Sequence, residues 1–87
     1  MKKVIMYGSP LCKDCVEAKK VLEEEKIRYG YVDVTAGMAH LKKFLNLRDS
    51  RPEFDPVKAE GKIGIPCFLV DDQDLYIMLP DNLDVLR

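Results

Sequence analysis

The chain has 87 residues, 33% of them charged, and a formal net charge of −1. That length supports one small domain (1–87) with a single core, and the near-neutral balance leaves no basic surplus to hold nucleic acid or an anionic lipid surface by charge. The apolar run after Lys3 stops at Tyr7, too soon for a signal peptide, and no stretch reaches the roughly 18 apolar residues of a membrane span.

Val4-Ile5-Met6-Tyr7 lies between lysines and Gly8-Ser9-Pro10, the pattern of a central strand covered on both faces. From residue 13 to about 26 the period turns helical: Cys15, Ala18 and Leu22 share a stripe with Val21 beside them, while Glu17, Lys20, Glu23 and Glu24 face water. Lys19 with Glu23 and Lys20 with Glu24 stand at i,i+4 spacing and are expected to pair. A strand over 29–34, with Tyr29 and Tyr31 as packing residues, completes a right-handed βαβ unit with parallel strands. Thr35 is placed to cap the next helix, whose Met38, Leu41, Phe44 and Leu45 keep the 3.6 period through about Leu47, with His40 facing solvent.

Residues 48–64 are polar and broken by Pro52, Pro56, Gly61 and Gly64. Asp55 as N-cap, Pro56 at the first helical position and Gly61 past the end frame one short helix there. Phe54 is expected to plug this segment onto the domain, and Arg48 and Arg51 to anchor it through weak surface pairs. Residues 65–70 are again apolar, with Pro66 at the strand's start, where a missing amide does least harm. A turn at 71–74 and a returning strand at 75–78 make an antiparallel hairpin, and 80–87 close as a short helix with Leu83 and Leu86 inward.

Three cysteines are too few for a secreted disulfide framework, so the chain reads as a cytoplasmic protein in a reducing compartment. Cys12 and Cys15, at i and i+3 where a helix begins, are near enough to bridge, with Cys12 exposed and Cys15 one turn in. Unpaired amides, the helix dipole and Lys13 favour a thiolate at Cys12, and Asp14 opposes it. Cys12 would attack a substrate disulfide and Cys15 would resolve the mixed disulfide. Metal or iron–sulfur ligation and two inert thiols are the alternatives, although a four-cysteine zinc site lacks its second pair. Cys67 reads as a small apolar strand residue, with a third redox thiol or a cluster ligand as the other reading.

A strand ending in an aromatic, a short turn, Cys-x-x-Cys opening a helix, and a hydrophobic-Pro pair starting a later strand together resemble the thioredoxin fold, and their order and compact size resemble glutaredoxin. The resemblance implies an α/β fold of order β-α-β-α-β-β-α, a mixed sheet of four strands flanked by helices, and thiol–disulfide exchange. It implies that Pro66 is cis and faces the cysteines, and that the Ile65 backbone pairs with substrate. The substrate site is then bordered by Tyr7, Ser9, Lys13, Lys62, Ile65, Pro66 and Asp81, and no metal is expected.

The substrate implied is a disulfide-containing protein or a glutathione mixed disulfide, with glutathione or a reductase as electron donor, glutathione as co-substrate, no tightly bound cofactor and a monomeric chain. An iron–sulfur cluster or metal-binding carrier and a thiol redox switch that binds a protein partner remain the other readings. Several positions depart from the glutaredoxin pattern. Lys13-Asp14 stand where Pro-Tyr is usual, Ser9 where a lysine is frequent, and 76–81 where a glycine pair lets backbone approach glutathione. Lys62 is then the best placed cation for a glycine carboxylate, and Asp81 or Asn82 for an amino group.

Overall fold

The structure, a computed structural model, describes residues 2–87. Its elements are β1 (Val4–Gly8), α1 (Lys13–Glu24), β2 (Gly30–Asp33), α2 (Met38–Ser50), α3 (Asp55–Ala59), β3 (Cys67–Val70) and β4 (Asp74–Ile77), with 3-10 turns at Pro52–Phe54 and Leu83–Leu86. The four strands lie in the order β2-β1-β3-β4. β1 runs parallel to β2 and antiparallel to β3, and β4 returns antiparallel on β3. This is the thioredoxin fold, and β1 takes the central place that its uninterrupted apolar run predicts.

Because side chains alternate along a strand, the sheet builds two cores. On one face Met6, Phe68 and Val70 meet Cys15, Ala18 and Leu22 of α1, and Leu86 closes the end. On the other face Tyr7, Cys67 and Leu69 meet Phe44 of α2 and Phe54. Phe54 is fully buried, as expected, and stands edge-on to Phe44 with ring centres 6.0 Å apart. Gly64 passes so close under it that an added Cβ would lie 2.9 Å from the ring.

Several expectations give way to tertiary contacts. In α2 only Phe44 is buried, while Met38 and Leu45 are exposed. Phe54 fills the second face beside Phe44, in the room a wider α2 stripe would have needed. Thr35 does not cap α2: Gly37 is the N-cap, without a side-chain bond. The amide and hydroxyl of Thr35 donate instead to the Asp33 carboxylate at 2.8 and 2.6 Å, the local Asx bonding that competes with helix capping.

α2 also runs on through Arg48 to Ser50. Asp55 lies inside α3 and pairs with Lys58 at 3.7 Å rather than capping it, though Gly61 does follow the helix with φ 72°. The closing segment is a 3-10 turn rather than an α-helix. Asn82 Oδ1 accepts the Asp84 N–H at 3.1 Å, and Val85 and Arg87 donate three residues back, the tighter bonding of short pieces. Leu86 still points inward and Leu83 is half-buried. Lys19 sets its ammonium 4.2 Å from the Tyr31 ring centre, a cation–π contact tying α1 to β2.

Candidate active site

The turn between β1 and α1 is held by a chain of hydroxyls. Ser9 is buried, and its Oγ accepts the Leu11 N–H at 3.1 Å and shares a 2.9 Å hydrogen bond with Thr35 Oγ1. Since the Thr35 hydrogen goes to Asp33, Ser9 is the donor in that bond. The Cys12 N–H then donates to Ser9 O at 3.1 Å, fixing where the helix begins. Ser9 is therefore bonded within the turn rather than presented to the surface.

Cys12 is the N-cap of α1, in extended conformation, and its Sγ accepts the Cys15 N–H at 3.3 Å. It is partly exposed, whereas Cys15 is fully buried beneath it. Burial, then the neighbouring Cys12 and Asp14, pushes the Cys15 thiol up to about 12. Gly8 makes room for this thiol: a Cβ there would lie 3.1 Å from Cys15 Sγ. All three cysteines are free thiols, and Cys67, also fully buried, is pushed up to about 12 by burial first and Cys15 second.

Ile65 and Pro66 are joined by a cis peptide bond, as the resemblance implies. Cys12 opens onto a groove of about 650 Å³ that Ile65 and Lys62 also line. Its remaining wall is largely apolar, from Leu11, Ile63, Ile77 and Met78, with the carboxylates of Asp14 and Glu60 among them. The segment before Pro66 is held by Arg48, whose guanidinium donates to Ile63 O at 2.9 Å and Lys62 O at 2.7 Å. Arg51 donates to Gln73 O at 2.6 Å and pairs with Glu53 at 2.8 Å. Both arginines thus fasten backbone carbonyls rather than making only surface ion pairs.

Of the seven residues expected to border the substrate, Lys62 and Ile65 line the groove with Cys12, and Pro66 lines a shallower hollow on the other side of Met78. Lys62 is exposed, with its ammonium 3.4 Å from Glu60. Lys13 and Asp81 are exposed but do not line the groove, and Tyr7 is buried against Phe44 at 5.9 Å. His40 is exposed and bonds Asp33 O at 3.1 Å through Nδ1. Leu11, Ile63 and Glu60 are groove residues that sequence reasoning did not single out, and Met78 entered only as part of the segment 76–81 that stands where a glycine pair is usual. The one available signal was the oddity of large apolar residues in a turn and a loop.

Among the described residues, no group of three or more His, Cys, Asp or Glu side chains is arranged to hold a metal ion, and no helix is long and apolar enough to cross a membrane. Residues 4–73 match the family model for glutaredoxin. An uncharacterized protein of Haemophilus influenzae is 34% identical over 79 residues, covering 91% of this chain and 92% of that one. The solved structure of the glutaredoxin from Methanosarcina mazei Go1 superposes with a TM-score of 0.68 at 23% identity, over 97% of this chain and 77% of the other. The chain therefore belongs to the glutaredoxin family, with a glutaredoxin-like thiol redox function.

Proposed function

We propose that the protein is a thiol–disulfide oxidoreductase working through a Cys12/Cys15 dithiol. The observation that carries this reading is the stacking of an accessible thiol over a buried one at the first turn of α1, with Cys12 opening into the groove. Cys12 sulfur attacks one sulfur of the substrate disulfide, that S–S bond breaks, and the first substrate thiol leaves with a proton. Cys15 then loses its proton and attacks the Cys12 sulfur. The Cys12–Cys15 bond forms, the second substrate thiol leaves, and two electrons have passed to the substrate. Burial of Cys15 suits the resolving role, because only the chain's own mixed disulfide can reach it.

On this reading Ile65 shapes the groove and Lys62 is its cation, Pro66 borders the neighbouring hollow, and Lys13 and Asp81 contribute charge outside the groove. The substrate is a protein disulfide or glutathione mixed disulfide, and the pair is re-reduced by glutathione or by a reductase in the cytoplasm, where thiols are kept reduced. The test is disulfide reduction by the Cys12→Ser and Cys15→Ser variants, with each electron donor run in parallel. Cys12→Ser is expected to be inactive and Cys15→Ser to accumulate a mixed disulfide on Cys12. A Cys12→Ser variant that still reduces disulfides overturns the assignment.

A further inference from the structure

Met78 has a backbone conformation that its side chain disfavours. Its φ is 68°, in the left-handed region where a Cβ crowds the neighbouring carbonyl and where glycine is the usual occupant. The conformation is pinned, because the Met78 N–H donates to Pro66 O at 2.8 Å. A non-glycine residue held there marks a place where the surrounding structure overrules local preference, and such places cluster at ligand-binding surfaces. What the methionine adds over glycine is a side chain, and the residue is 43% exposed and lines the groove beside Cys12. It also forms the near wall of the hollow lined by Pro66 and Leu79. Met78 is thus the ridge shared by two depressions, the first of which holds the reactive thiol.

Around this ridge the surface is apolar, with Leu11 85% and Ile63 61% exposed on the groove. Apart from the Cys12 thiol, its ionisable lining consists of the Asp14 and Glu60 carboxylates and one ammonium, Lys62, which already lies 3.4 Å from Glu60. Beyond Met78 the second hollow adds Glu17 to Asp14. Glutathione carries two carboxylates and one ammonium at neutral pH, so this lining offers its carboxylates more repulsion than attraction. The complement of an apolar, negatively charged groove is an apolar segment with a basic residue.

We propose that Met78 makes the Cys12 groove selective for a disulfide borne on a polypeptide segment with apolar and basic residues beside the cysteine, in preference to glutathione disulfide. The inference rests on the dithiol reading of Cys12 and Cys15. An unbranched thioether side chain adapts to differently shaped apolar neighbours, which lets one ridge serve varied protein substrates. The exchange is the one written above: one substrate S–S bond breaks, the Cys12–Cys15 bond forms, and two substrate thiols are released.

A single-turnover experiment tests this. The reduced protein, freed of reductant, is mixed with oxidised glutathione, with a synthetic peptide disulfide flanked by leucine and lysine, or with the same peptide flanked by serine and glutamate. Formation of the Cys12–Cys15 bond is followed by acid quench, alkylation and mass spectrometry. The leucine–lysine peptide is expected to oxidise the protein about tenfold faster than either alternative, the scale of one good pocket contact. Met78→Gly, which removes the ridge while relieving the backbone, should erase about tenfold of that ratio, and Met78→Gln, which keeps the length and loses the apolar end, should erase part of it.

Equal rates for all three disulfides, or an unchanged ratio in both variants, overturn the proposal while leaving the dithiol reading intact. If none of the disulfides forms the Cys12–Cys15 bond, the dithiol reading itself fails and the selectivity falls with it.

Discussion

On one face of the sheet Cys15 lies buried at the start of α1 beneath Cys12, and on the other Cys67 lies buried in a strand among Tyr7, Phe44 and Phe54. Both thiols are fully buried, and for both, burial first raises the proton affinity to about 12. They differ in what stands over them. Cys15 has a partner thiol that reaches the groove, and Cys67 has aromatic packing. On the dithiol reading, what sets the reactive thiol apart is its accessible place at a helix start.

The largest effect should come from exchanging the roles of the two faces. Cys12→Ser should abolish disulfide reduction. Cys67→Ala should keep it and lower the unfolding free energy by about 1 kcal/mol, the scale of a small deletion in a core. Denaturant melts and a reduction assay on the two variants read this directly. A Cys67→Ala protein with lost activity would make the second face part of the chemistry.

Two glycines sharpen the same comparison. Gly64→Ala meets both a left-handed φ of 98° and the Phe54 ring at 2.9 Å, so it should destabilise by roughly 3 kcal/mol. Gly8→Ala meets Cys15 Sγ at 3.1 Å without a backbone conflict, and should cost only about 1 kcal/mol. Its distinctive signature is kinetic: a displaced Cys15 should lengthen the lifetime of the mixed disulfide on Cys12, an effect absent from Gly64→Ala. Mixed-disulfide decay measured by mass spectrometry separates the two.

A smaller change belongs to the groove wall. Arg48→Met frees the carbonyls of Lys62 and Ile63, a loss of about 1 kcal/mol, and should raise KM for a disulfide several-fold with kcat little altered. Arg48→Lys, retaining one donor, should recover part of it. Equal loss of kcat in both variants would mean that the wall does more than bind.

At neutral pH the buried thiols contribute a constant term, and its alkaline loss is the mildest test. Their proton affinity is raised from 9.0 to about 12, so burial of the protonated forms stabilises fully below pH 9. Between there and about pH 12 the unfolded chain ionises first and stability falls. Unfolding curves at pH 8 and at about pH 10.5 should show the decline, smaller by one thiol's share in Cys67→Ala.

What could be read in the sequence was what local pattern decides. The β1 run, the Cys15-Ala18-Leu22 stripe and the Phe54 plug follow from short-range periodicity and turn residues, and all lie where expected. The cis bond at Pro66 came through family resemblance. The rest depends on who else occupies a site. α2 loses its apolar stripe to Phe54, which the fold brings in, whereas Thr35 loses its cap to a local competitor, the Asp33 carboxylate two residues back. Met78 in the left-handed region gives no local signal, since turn chemistry would put glycine there. Arg48 reaches two carbonyls only because residues 62 and 63 pass beside α2.

The most direct test of the dithiol account is disulfide mapping of the wild-type protein after oxidation by one equivalent of a peptide disulfide, with free thiols alkylated and the fragments identified by mass spectrometry. The account predicts a Cys12–Cys15 bond and an alkylated Cys67. A bond that includes Cys67, or Cys12 left bonded to substrate beside a free Cys15, would contradict it.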